Sequence, residues 1–226
     1  MDISGSKYLE LLPEEPTLED AGNDEETLKF MKSNREKAVQ YFEYVNGDDW
    51  TNYADKNGVK LDTRPFEGSD LCMIKLEMEV NTSAVNALKA FRDHNIWNRC
   101  DPSEPSCREL EKIDTANRYS YYFTKSGYIV SARDCIFFET ELELEDDSHL
   151  LILNGVNSTK YKREEGAVEF VTNMHGIHFK EISDDKCKIT RAVHGEFGGS
   201  IPSTLINWLV GLHAGFMENL KAELEK

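Results

Sequence analysis

Basic residues are scarce in this chain: 26 Lys and Arg stand against 42 Asp and Glu over 226 residues, a formal net charge of -16. Nucleic-acid binding needs cations to replace the counterions of the phosphates, so that class is excluded. A purely electrostatic grip on acidic lipid is excluded on the same ground, and any contact with a membrane must rest on apolar groups. Long apolar runs are also missing. No stretch reaches the roughly 18 consecutive apolar residues of a membrane span, and the acidic start is unlike a signal peptide. The five cysteines, at 72, 100, 107, 135 and 187, have neither CxxC spacing nor the density of a disulfide scaffold. A reducing, cytoplasmic location is the expectation. His94, Cys100 and Cys107 fit no common zinc spacing, so no metal is expected.

Catalytic signatures are lacking too: there is no GxSxG, no Gly-rich phosphate loop and no HExxH. Cys135 with one of His175, His178, His194 or His213 is the remaining nucleophile–base combination. A Cys on an apolar strand more commonly serves as a small buried hydrophobe.

What is present reads as one domain, long enough for a single core. Residues 1–24, rich in Glu, Asp, Pro and Gly, are expected to be poorly ordered. Leu28, Met31, Ala38, Phe42 and Val45 recur at helical spacing and predict a helix over 25–45, packed outside a sheet. Asn57-Gly58 between Trp50–Asp55 and Val59–Thr63 is a strong hairpin signal. Between Leu71 and Val80, Ile74, Leu76, Met78 and Val80 alternate with Lys75, Glu77 and Glu79. Thr82 or Ser83 caps a short helix through Phe91, and a second short helix or turn holds Trp97. Strands resume at about 108–113, 118–125, 134–144, 149–156, 167–182 and 187–197. Several strands framed by helices make an antiparallel α+β fold.

The last forty residues carry the most information. A strand from Lys186 to His194 leads into Gly198-Gly199-Ser200-Ile201-Pro202 and then a helix over 203–225. At 1.5 Å per residue, ~23 residues span about 35 Å. Leu205, Trp208, Leu209, Leu212, Phe216, Leu220 and Leu224 form one stripe. Ile206, Val210 and Met217 make the first half apolar nearly all round, so the helix needs cover on most sides. A terminal helix packed on a sheet with no cavity is the plainer alternative.

This C-terminal pattern resembles that of the START (StAR-related lipid-transfer) domain family. The resemblance extends through Trp50, Lys75, Trp97-Asn98 and Arg133-Asp134-Cys135, the last matching the family's Arg-Asp-Phe, and covers roughly residues 50–225. It implies the helix-grip fold, in which a curved antiparallel sheet wraps around the long C-terminal helix. It implies a monomeric intracellular carrier of one lipid (phospholipid, sterol or sphingolipid) with transient membrane contact and no cofactor. For such a carrier the candidate lipid-binding residues are Tyr121, Phe123, Tyr128, Ile129, Val130, Phe137, Arg191, Leu205, Trp208, Leu209, Leu212, His213 and Phe216. Among them, Tyr128, Ile129 and Val130 form the apolar tip of a loop closing the tunnel. For each aromatic, ordinary core packing is the alternative. An enzyme of the wider helix-grip superfamily acting on an apolar molecule, and a scaffold for a basic partner, are the competing functions.

Departures from the family point to the ligand class. Sterol-binding members typically pair an Arg, six residues beyond that of Arg-Asp-Phe, with an acid on the preceding strand. Those positions here are Glu139 and Ser120, which disfavours a sterol of that type. Val168-Glu169 stands where many members have Val-Arg. Glu139 alternates with Glu141 and Glu143, and three unpaired buried carboxylates would be very costly, so the solvent-facing reading is preferred for Glu139. The resemblance instead implies that this position faces the tunnel, and a bulge would reconcile the two. Arg191 shares a face with Ile189 and Val193. Turned inward without a carboxylate it would suit a lipid phosphate; an exposed Arg or a structural ion pair is the alternative.

Overall fold

The structure is a computed structural model that describes residue 3 and residues 5–126, 131–198 and 206–226, with 206–209 described by backbone alone. A 3-10 turn over Lys7–Leu11 precedes helix α1, Glu25–Val45. The segment before α1, expected to be poorly ordered, contributes buried Leu12 and Ala21 to the apolar clusters around α1. Strands β1 (Thr51–Lys56), β2 (Val59–Arg64) and β3 (Met73–Val80) follow, then helices α2 (Ala84–Arg92) and α3 (His94–Cys100). The remaining strands are β4 (Ser106–Lys112), β5 (Asn117–Thr124), β6 (Arg133–Glu143), β7 (His149–Gly155), β8 (Val168–Glu169), β9 (Val171–Ser183) and β10 (Lys186–Glu196). Helix α4, Ile206–Leu224, ends the fold; residues 199–205, where the sequence places the cap and first turn of this helix, lie outside the described residues.

One sheet runs in the order β1-β2-β3-β10-β9-β7-β6-β5-β4, antiparallel throughout, with short β8 added parallel to β6. Pairing of β3 with β10 brings the first three strands beside the last strand, which lies near the middle of the sheet, with β1 and β4 at its edges. The helices divide between its faces. Helix α1 begins at Asp24, whose carboxylate accepts from the backbone N–H groups of Glu26 and Thr27. It crosses the outer face: Tyr41 donates to the Thr190 carbonyl at 2.6 Å and Asn34 to that of Phe138 at 3.0 Å. Gly176 lets the Tyr41 ring lie against β9, since a Cβ there would meet Tyr41 Cδ2 at 2.4 Å. Helices α2, α3 and α4 cover the inner face over a core running from Leu61, Leu76 and Met78 through Phe179 and Ile189 to Met217 and Leu220. This is the curved antiparallel sheet closed by a C-terminal helix that the helix-grip fold requires.

Candidate functional site

Period-two alternation decides which side chains reach the space beneath α4. On β10 the inward set is Cys187, Ile189, Arg191 and Val193; opposite, β9 presents His175, Ile177 and Phe179. On β6 it is Cys135, Phe137 and Glu139, and on β5 Arg118, Ser120 and Tyr122. From above come Phe91 of α2, Trp97 of α3 and Phe216 of α4. The Phe216 ring stands 5.1 Å from that of Trp97 and 5.5 Å from that of Phe91.

Arg191 lies at the centre of this aromatic group. It is 4% exposed, with its guanidinium carbon 5.0 Å from the Phe216 ring centroid and 6.0 Å from those of Phe91 and Trp97. Nε donates to His175 Nε2 at 3.1 Å, which leaves the proton of that imidazole on Nδ1. Nη1 is buried and has no hydrogen-bond partner among the described residues, and no carboxylate there lies within ion-pair distance. Burial lowers the Arg191 pKa to about 10 against the opposing fields of Asp101 and Tyr122, so the group stays charged at neutral pH. Burial and the Arg191 charge hold His213 down at about 3 and His175 well below the ordinary imidazole value; both rings are neutral.

A second polar station corrects the expectation for Glu139. It does share a face with Glu141, but that face is inward: Glu139 is 2% exposed. Each carboxylate has a cation. Arg118, directly opposite on β5, donates to Glu139 from Nε at 2.7 Å, Ser120 donates through Oγ, and His94 Nε2 stands 3.6 Å away. Arg92 of α2 donates to Glu141. Burial would raise the Glu139 pKa, but the His94 ring, the Arg118 charge and the Ser120 hydroxyl outweigh it and bring it to about 2. An acid–base pair is thus present across β5 and β6, but the ion paired with Glu139 is Arg118 and not position 120, where Ser120 stands.

Two pockets adjoin these stations among the described residues. One of about 290 Å³, counted with its open mouth, lies between Trp97, Tyr122, Phe137 and the Arg118–Glu139 pair. The other, about 410 Å³ on the same basis, is lined by Ile74, Phe170, Val193, Phe197, Val210 and His213.

The structure brings Phe137, Arg191 and Phe216 together on the inner face; Leu212 and His213 are partly buried on α4. It does not bring Tyr121 and Phe123 there. Their side chains point to the outer face, stacked at 6.5 Å in the cluster formed with Phe30 and Met31 of α1. Tyr121 donates to Asp134 at 2.7 Å. Tyr128, Ile129, Val130 and Leu205, and the side chains of Trp208 and Leu209, lie outside the described residues. The sequence alone did not mark Trp97 and His175 as inward groups, and of the two orientations open for Glu139 it favoured the solvent-facing one. For His175, the available signal is that it alternates with Ile177 and Phe179 on β9.

Arg133 and Asp134 do not pair with each other. Arg133 donates to the carbonyls of Ser131, Phe197 and Gly198, tying the loop before β6 to the segment leading into α4. Asp134 is held by Arg163.

The START domain family matches over residues 33–223. The chain is a member of the START domain family. Among solved structures, the human StAR-related lipid transfer protein 5 is similar at 16% identity and TM-score 0.76, covering 85% of this chain and 95% of that one. A STAR-related lipid transfer protein from Xanthomonas axonopodis is similar at 23% identity and TM-score 0.70, covering 78% and 99%. Human STARD10 follows at 18% identity and TM-score 0.70, covering 81% and 76%. At these identities the likeness is one of fold. No curated protein sequence matches the chain.

Proposed function

We propose that this START domain binds one lipid beneath α4 and transfers it between membranes without itself catalysing a reaction. The observation that carries the reading is the aromatic, water-excluding space between the inner sheet face and α4, flanked by two pockets. Each buried CH₂ is worth about 0.8 kcal/mol, so an acyl chain in transit needs such an enclosure. The enclosed volumes of the two pockets are only about 10 and 30 Å³, far below the roughly 300–1,000 Å³ of usual ligand pockets. A two-chain lipid therefore enters by displacing α4 from the packed inner face. Arg133, tied to Phe197 and Gly198, stands at the base of that movement.

The chemistry of an enzyme is poorly supplied among the described residues. Burial pushes the Cys135 thiol up to about 12, so no thiolate is available there. Among the described residues no three metal-ligating side chains gather at one point, and no helix is long and apolar enough to cross a membrane. A phospholipid is the favoured cargo, because the sterol-type pair is absent, Glu139 being neutralised by Arg118, while Arg191 remains inside without a counter-ion among the described residues. The protein is read as a cytoplasmic monomer that touches membranes only during exchange.

Transfer of a fluorescent phosphatidylcholine from donor to acceptor liposomes tests the reading. Leu212→Glu and Phe216→Glu, each placing a carboxylate in the apolar path, should abolish transfer while circular dichroism stays native. Wild-type transfer by a folded Phe216→Glu variant would refute it.

A further inference from the structure

A buried cation with an unused donor is costly unless something else completes its coordination. Arg191 has such a donor in Nη1, and Trp97, only 7% exposed, has another in its indole Nε1–H; neither has a partner among the described residues. Both belong to one cluster, with the guanidinium carbon 6.0 Å from the indole ring centroid and the Phe216 ring against each. The cluster also joins the two pockets: Phe91 and Trp97 line the first, and His213, whose ring feels the Arg191 charge, lines the second. The other inward cations are occupied, Arg118 by Glu139 and Arg92 by Glu141. His175 uses its lone pair to accept from Arg191 and adds no negative charge.

We propose that Arg191 and Trp97 form an internal anion-recognition site that takes the charged oxygen group of the cargo, so that the lipid is carried with that end inside. The inference rests on the carrier reading above and names the part of the ligand that is read. A guanidinium presents N–H donors in a plane that matches two oxygens of a phosphodiester or carboxylate, and the indole N–H supplies a further donor. Neutral His175 and His213 leave the cation unneutralised, so the anion must come with the ligand. The same chemistry serves the phosphodiester of a phospholipid and the carboxylate of a fatty acid. An uncharged diacylglycerol or sterol leaves it unsatisfied.

The test is native mass spectrometry of the protein re-isolated from liposomes of phosphatidylcholine, oleic acid, diacylglycerol and cholesterol in equal proportion. The wild type should carry about one equivalent of phosphatidylcholine or of oleate, and the mass tells which. Arg191→Met should lower the ratio of that adduct to the diacylglycerol adduct about tenfold or more, the scale of a lost charge-assisted hydrogen bond. Trp97→Phe, which keeps the ring and removes the N–H, should lower it several-fold. Arg191→Met should melt at or above the wild type in the absence of lipid, because it removes an uncompensated buried charge. Diacylglycerol or cholesterol as the main adduct, unchanged in Arg191→Met, overturns the anion site and leaves the carrier reading intact. A variant melting well below the wild type overturns it as well, by assigning Arg191 to the fold. A wild type that takes up no lipid at all overturns both.

Discussion

Replacing Glu139 with Gln isolates the buried ion pair on β5 and β6 with almost no change of shape. The carboxylate titrates at about 2 instead of its ordinary 4.5, and it is 2% exposed. At 1.36 kcal/mol per unit, that difference is worth about 3 kcal/mol of folding stability, in line with the roughly 3–5 kcal/mol lost on breaking a buried pair. The sign follows from the lowered value. The contribution is complete above the unfolded carboxyl's 4.5 and disappears as the pH falls towards 2. In Glu139→Gln, Arg118 keeps the Arg92 carbonyl at 2.8 Å and Glu109 at 3.7 Å, but loses its buried counter-charge. Urea denaturation at pH 7 should show a loss of about 3 kcal/mol, and thermal scans a fall of roughly 6–12 °C for a domain of this size. The gap between variant and wild type should narrow as both are taken from pH 4.5 towards 2. A double change, Arg118→Met with Glu139→Leu, should recover much of the loss, because it removes both charges together. A Glu139→Gln protein within about 1 kcal/mol of the wild type at pH 7 would show the pair to behave as an exposed one, refuting the reasoning.

Three further outcomes follow from the same packing. Gly176→Ala puts a methyl 2.4 Å from Tyr41 Cδ2, and chemical denaturation should register the overpacking as a loss of about 1–3 kcal/mol. Arg133→Gln removes the guanidinium that donates to the carbonyls of Phe197 and Gly198; a stopped-flow measurement of lipid exchange should find it faster than wild type. His175 and His213 are neutral when folded, and the unfolded chain takes up protons at these positions below an ordinary imidazole's 6.5. Stability should therefore decline as the pH falls below about 6.5, towards the value of about 3 at His213, and His175→Gln should flatten the decline in a denaturation series.

Much of the architecture is legible in the order of residues. The Asn57-Gly58 turn, the alternation from Ile74 to Val80 and the apolar stripe after residue 205 each act through neighbours close in sequence. Asp24 and Ser83 cap their helices for the same local reason. The faces of the sheet are harder to read. Alternation tells which residues share a side and is silent on which side is inward, and here both sides are covered: α1 on one, α2 to α4 on the other. Tyr121 and Phe123 therefore look like tunnel residues and pack under α1. Glu139 looks like a solvent residue because its cation is set 21 positions away, by the pairing of β5 with β6. Phe137, apolar and two residues from Glu139, already marks that face as inward. Arg191 is legible through Ile189 and Val193, whereas its bond to His175 depends on the register of β9 against β10.

The central claim is that a lipid occupies the space under α4, and its most direct test is the intact mass of the protein purified from a eukaryotic lysate under native conditions. One adduct near a single equivalent, its extract identified as a phospholipid, is the expected result. A clean apo mass, persisting after incubation with mixed liposomes, would contradict it.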